Sequence, residues 1–176
     1  ESGMILKDAS AYNIQFHNGK PVLIDTLSFE QYREGRPWVA YRQFCQHFLA
    51  PLALMAFTDV RLSQLLRVYI DGVPLDLASR LLPGKTRWNF GLASHIHLHA
   101  SAQKRYADQA VDKVSVEKRM SKLSLLGLLD NLESTVRALK WAPQGTEWAD
   151  YYDATNYTRE AFELKKSLVA TCVERV

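Results

Sequence analysis

Ile14-Gln15-Phe16-His17-Asn18-Gly19-Lys20-Pro21-Val22-Leu23-Ile24-Asp25 is the stretch whose reading decides the fold. Apolar residues stand at Ile14 and Phe16, then at Val22 and Ile24. The Asn18-Gly19 pair between them suits the two positive-φ positions of a type I′ turn. The stretch is predicted to be a β-hairpin. A hairpin returns the chain on itself, so Asn13 before the first strand and Asp25 after the second are expected close together.

The rest of the chain reads as helical. Pro37 is expected to open an amphipathic helix over 37–55, with Trp38, Tyr41, Phe44, Cys45, Phe48, Leu49 and Leu52 at helical intervals. Pro51 falls inside that pattern and is expected to kink or split it. Shorter helices are predicted over 59–70 and 74–82, the second closed by Pro83-Gly84, and another over 90–107. A long helix is expected over 121–139 and a last one from 158 onward, with Thr158 as N-cap and Glu160 in the first turn. The fold class is therefore mainly α with an N-terminal β-hairpin. Three regions are expected: 1–102, a basic connector at 103–122, and a helical region at 123–176.

Composition narrows the function classes. The 22 basic and 19 acidic residues of the 176 leave a charge of only +3, too mild to suggest nucleic acid without a concentrated patch. That excess is matched within the connector, where six basic residues (Lys104, Arg105, Lys113, Lys118, Arg119 and Lys122) oppose Asp108, Asp112 and Glu117. A solvated linker is the preferred reading of it. Two isolated cysteines, Cys45 and Cys172, suit a reducing cytoplasm better than a disulfide framework. The longest apolar run, 48–57, is too short to span a bilayer. The chain opens on Glu1 and enters a hydrophobic motif almost at once, which reads as a start within a longer protein.

Asp8-Ala9-Ser10-Ala11-Tyr12-Asn13 adds a D-x-x-x-x-N spacing ahead of the hairpin. Phosphoryl transfer needs a carboxylate to orient the attacking hydroxyl, and an amide oxygen with a second carboxylate to hold Mg²⁺. The segment resembles the catalytic loop and second metal motif of kinases and of aminoglycoside- or choline-type phosphotransferases. The resemblance implies a C-lobe of kinase-like fold, with Asp8 as catalytic base, Asn13 and Asp25 as metal ligands, and Mg²⁺ as cofactor. Lys7 stands where that family has His or Gly, and Thr26-Leu27 stands where many members have Phe-Gly. These departures turn the likeness from an activity toward an ancestry.

A second resemblance covers essentially the whole chain. The words Gly3-Met4-Ile5-Leu6-Lys7-Asp8-Ala9-Ser10, Phe29-Glu30-Gln31-Tyr32-Arg33-Glu34-Gly35, Trp38-Val39-Ala40-Tyr41-Arg42-Gln43-Phe44 and Gly145-Thr146-Glu147-Trp148-Ala149-Asp150-Tyr151-Tyr152 carry it. They look like a bacterial family of large class I S-adenosylmethionine-dependent methyltransferases related to a rhizobial nodulation protein. The resemblance implies a region upstream of the methyltransferase domain, with that C-terminal domain as partner, and a small-molecule or carbohydrate acceptor. The residues agree on one point. Gly72, Gly84, Gly91, Gly127 and Gly145 each stand alone, so no Gly-rich acidic turn is present to hold the cofactor. No cofactor is expected on this chain itself, with S-adenosylmethionine bound elsewhere in the parent and this piece inactive alone. An active phosphotransferase and a non-catalytic interaction domain are the alternatives.

Two clusters complete the reading. Trp148, Tyr151 and Tyr152 belong to an aromatic stretch at 141–157 that could fold over an acceptor or cofactor, although a packing loop anchoring the last helix is preferred. His95, His97 and His99 would share one face of a strand and could take Zn²⁺ or Fe²⁺, whereas on a helix only His95 and His99 align. Ile96 and Leu98 alternate with the histidines, which also suits an amphipathic strand with a polar outer face, and a metal site is not the preferred reading. Cys45 is expected to pack in the core.

Overall fold

A computed structural model describes residues 3–101, 119–140, 142 and 155–174. Strand β2 (Ile14–His17) pairs antiparallel with β3 (Lys20–Leu23), Ile14 opposite Leu23 and His17 opposite Lys20. Asn18 and Gly19 turn between them at φ 51° and 72°, the left-handed pair that an Asn-Gly turn requires. A second ribbon was not expected. Strand β1 (Met4–Leu6) pairs antiparallel with β4 (Phe29–Gln31), so along the chain the hairpin falls between the two paired strands of another sheet.

The remainder of the described chain is mainly helical, as expected, although the details differ. The first helix begins at Tyr41 rather than at Pro37: a helix Tyr41–Phe44 runs through a π turn Cys45–Leu49 into a helix Ala50–Phe57. Trp38 is instead drawn to the β1 ribbon, its indole N–H donating to the Leu6 carbonyl at 2.6 Å. The π turn ends just before Pro51, so the proline enters at the start of a new α stretch, where its missing N–H costs least. The turn also rotates the apolar stripe. Leu49, Ala50, Ala53 and Leu54 are fully buried, whereas Leu52 is 38% exposed.

The predicted helix over 59–70 is instead a 3₁₀ stretch Val60–Gln64 followed by a short helix Leu65–Val68. Asp59 caps it, accepting from the Arg61 amide at 2.8 Å. The helix Leu75–Leu81 gives way to a 3₁₀ turn Gly84–Trp88 at Pro83. A helix Phe90–Leu92, capped by Asn89, leads into a second π turn, Ala93–His97, and helical conformation continues to residue 101. The strand alternative for the three histidines is thereby excluded: their stretch is helical and its inner face is buried.

The helix Lys122–Ala138 starts at Ser121, whose hydroxyl accepts from the Ser124 amide at 3.1 Å. Its inner face places Leu125, Leu132 and Thr135 against the core built from Leu49, Leu54, Val73, Leu75, Leu92 and Ile96. Residues 1–141 form one compact unit. The expected connector falls mostly outside the described residues, but Met120 is tied back to this unit by its amide, which donates to the Gly35 carbonyl at 3.1 Å.

Residues 142–176 form a second unit. Its described part is the helix Arg159–Val173, with Thr158 as N-cap accepting from the Ala161 amide at 3.3 Å and Glu160 in the first turn, as expected. Trp148, Tyr151 and Tyr152 lie outside the described residues. Among the described residues no helix is long and apolar enough to cross a membrane.

Candidate functional site

Local hydrogen bonding explains why the hairpin base gathers polar groups. The Ile24 amide donates to the Asn13 carbonyl at 2.8 Å, which closes the base and sets Asn13 beside the start of the next turn. Asp25 caps that turn, a 3₁₀ stretch Thr26–Ser28: one carboxylate oxygen accepts from the Leu27 amide at 2.9 Å and the other from the Ser28 hydroxyl at 2.8 Å. The Asn13 side-chain amide donates to the same hydroxyl at 3.0 Å. Asn13, Ser28 and Asp25 thus form one hydrogen-bonded chain across the hairpin base.

Asp8 enters from the other side. The Lys7 and Asp8 amides donate to the Ser28 carbonyl at 2.8 and 3.4 Å, so the segment before Asn13 is pinned to the residue that links Asn13 to Asp25. The Asp8 carboxylate accepts from the Ser10 amide at 3.0 Å and from the Gln43 side-chain amide at 2.7 Å, both on Oδ1. Gln43 completes a clamp by accepting from the Ala9 amide at 2.7 Å. Behind it, His47 accepts from the Ala11 amide on Nδ1 at 3.3 Å.

His47 is buried, and burial pushes its pKa below the ordinary 6.5, opposed by the charges of Asp8 and Asp71 and a hydrogen bond to the Asp71 backbone. Gly72 permits this approach. Its φ of +92° is a conformation L side chains rarely adopt, and a Cβ there would stand 2.9 Å from His47 Cδ2.

The structure therefore joins Asn13 and Asp25 through a single hydroxyl and ties Asp8 to the same residue through the backbone. With the Asn13 amide nitrogen turned to Ser28, its oxygen is the atom left for a cation. Both Asp25 oxygens already accept hydrogen bonds from the chain. A carboxylate can still take a cation in that state, so Mg²⁺ fits Asn13 and Asp25 in donor type, with the hydrogen bonds as competitors. Among the described residues no group of three or more His, Cys, Asp or Glu side chains is placed to hold a metal. Ser28, Gln43 and His47 went unread in the sequence. A buried serine has no spacing signal, and Gln43 and His47 lie on a helix that reads as core.

Ser28 is the hub, and its loss has a defined outcome. Ser28→Ala should leave the Asn13 amide and one Asp25 oxygen without their partner at a site that is only 1% exposed. A cost of roughly 1–3 kcal/mol is expected. Urea unfolding would measure it, and a change below about 0.5 kcal/mol would remove Ser28 from this role.

The three histidines at 95, 97 and 99 are committed to structure. Thr86 Oγ1 donates to the Pro83 carbonyl at 2.7 Å, so it accepts from His97 Nε2 at 2.9 Å, and His97 Nδ1 accepts from the Ser79 hydroxyl at 2.8 Å. His95 sits between the Tyr41 hydroxyl and Asn131 Oδ1, each at 2.7 Å. His99 packs on the Tyr41 ring with centroids 5.0 Å apart. Both ring nitrogens of His95 and of His97 are occupied, which leaves neither to bind a metal in this arrangement. Cys45 lies fully buried as expected, and burial pushes its thiol up to about 12, outside any nucleophilic range.

With the geometry in view, the chain can be set beside known proteins. It is similar to a rhizobial nodulation protein. Over 176 residues it is 32% identical to nodulation protein NoeA of Rhizobium meliloti (strain 1021), with 98% of this chain and 37% of that protein covered. The chain thus spans little more than a third of the relative's length. No family model matches it. No solved structure matches it either, so the kinase-like resemblance rests on the residues at 8–25 alone.

Proposed function

We propose that this chain is an acceptor-recognition region of an S-adenosylmethionine-dependent methyltransferase, built on a phosphotransferase-like C-lobe. In this reading Asp8, Asn13 and Asp25 have become fastenings of the hairpin. The observation that carries it is the use of both carboxylates by the chain itself: Asp8 by Ser10 and Gln43, Asp25 by Leu27 and Ser28. The likeness to a nodulation protein over 98% of the chain supports placing it in a longer bacterial protein. A separate domain of the same protein would hold the cofactor. The acceptor would be a small molecule or carbohydrate, and the site of work the cytoplasm.

The test compares the full-length protein with the same protein lacking residues 1–176. S-adenosylmethionine binding by calorimetry should persist in the shortened protein. Transfer of a tritiated methyl group into the small-molecule and polysaccharide fractions of a bacterial extract should be lost. Absence of cofactor binding by the full-length protein would overturn the reading.

The Asn13–Ser28–Asp25 chain favours one second reading, a Mg²⁺-dependent phosphotransferase with Asp8 as base and Asn13 and Asp25 on the metal. It requires ATP binding that depends on Mg²⁺ and disappears in Asp25→Ala. The first reading expects full-length protein to bind no Mg²⁺–ATP at millimolar nucleotide, and binding that Asp25→Ala abolishes would replace it with the second.

A further inference from the structure

The turn between the helix Leu75–Leu81 and the helix Phe90–Leu92 holds two large rings in solvent. Trp88 is 92% exposed and Phe90 75%. Burial of such a ring removes about 150–250 Å² from water, so leaving it out forgoes a large gain. Single exposed apolar residues are ordinary, whereas two neighbouring rings left out together mark an interaction surface.

The backbone of the turn enforces this exposure. Thr86 is 1% exposed, and its hydroxyl donates to the Pro83 carbonyl and accepts from His97 Nε2. Three residues on, the Asn89 side chain accepts from the Leu92 amide at 3.0 Å. Asn89 is itself extended, at φ −82° and ψ 113°, so successive side chains alternate across it. With Asn89 turned to its helix, Trp88 and Phe90 are both directed away from it. Lys85 joins them. In the 3₁₀ turn Gly84–Trp88, residues three apart eclipse, which sets Lys85 and Trp88 on one face.

The charge along this part of the chain has one sign. From Leu77 to Ser101 the sequence holds no Asp or Glu. Arg80 is engaged by Asp76 at 4.0 Å, whereas Lys85 and Arg87 are exposed and form no ion pair among the described residues. Exposed rings flanked by free cations complement an anionic bilayer surface: Trp settles at headgroup level, Phe at the acyl boundary, and the cations among the phosphates. A neutral sugar would stack on a ring without any need of the cations.

We infer that the turn from Lys85 to Phe90 docks on the face of an anionic lipid bilayer, with both rings entering the interface and Lys85 and Arg87 on lipid phosphates.

Cosedimentation of the intact chain with vesicles tests it, one set of phosphatidylcholine alone and a second with phosphatidylglycerol added. Binding is expected to the anionic set and should weaken as salt rises. Trp88→Ala with Phe90→Ala should lower the partition coefficient on the order of tenfold or more. The urea midpoint should stay where it is, because both rings are already in solvent. Lys85→Gln with Arg87→Gln should remove the preference for the anionic set. Sedimentation velocity without vesicles distinguishes a lipid surface from a second copy of the chain. No binding to anionic vesicles, binding indifferent to the ring substitutions, or self-association that those substitutions abolish would each overturn the inference.

Discussion

Gly91→Ala is expected to destabilise the protein by roughly 3 kcal/mol, a large share of the ~5–15 kcal/mol that folds a domain. Alanine is ordinarily the better helix former, by about 1 kcal/mol over glycine. Packing reverses the sign here. A Cβ on residue 91 would stand 2.7 Å from Thr135 Cγ2 and 2.8 Å from Thr135 Cβ, and would overlap Thr135 Oγ1. Thr135 is only 7% exposed, and its hydroxyl donates to the Asn131 carbonyl at 2.6 Å, so it has little room to turn away.

Relief requires the helix Lys122–Ala138 to move off the helix Phe90–Leu92, which would also draw Asn131 from His95. Gly127→Ala supplies the control. It lies on the same long helix, a Cβ there would meet nothing within 4 Å, and the substitution should stabilise by about 0.5–1 kcal/mol. Urea midpoints measure both. Shifts of the same sign would refute the packing argument.

The second large effect is loss of stability in mild acid. His47, His95 and His97 are between 3% and 8% exposed, and burial pushes all three below the ordinary pKa of 6.5. His99 is shifted the same way by burial and by the nearby His95 and Arg42, and Arg87 adds to the effect on His97. Each folded pKa lies below its unfolded value, so unfolding takes up protons. Stability from the neutral rings is fully present above about pH 6.5 and falls as the pH drops through the folded values.

The slope approaches about 1.4 kcal/mol per pH unit for each proton taken up. Asp59 stays apart from this window. Arg61 holds its carboxyl down to about 2, so its contribution is lost below the ordinary carboxylate value of 3.8. Urea midpoints between pH 7.5 and 4.5 should fall steadily, and His97→Asn should flatten the curve. A midpoint constant down to pH 5 would exclude neutral buried histidines as the cause.

These effects depend on contacts between distant residues, which is where the sequence is least informative. The hairpin was legible because Asn18-Gly19 encodes its own turn, and the N-cap Thr158 was legible because a hydroxyl reaches only two or three residues ahead. The candidate site was legible in part. Asp8, Asn13 and Asp25 could be chosen from spacing, but nothing in the spacing names Ser28 as the atom between two of them. Gln43 reaches Asp8 across 35 residues, and His47 reaches Ala11 across 36.

Sequence alone determined the local elements of this protein: one hairpin, a mainly helical remainder, and the ends of the two best-capped helices. Each follows from backbone preferences and side chains within a few positions. Only the tertiary structure decided the β1–β4 pairing, the two π turns, and the burial of His95 and His97 among hydroxyl and amide partners. Three-residue strands carry too little periodicity to announce themselves. A π turn trades ideal hydrogen-bond geometry for a better-packed face, and that trade exists only once the face has something to pack against.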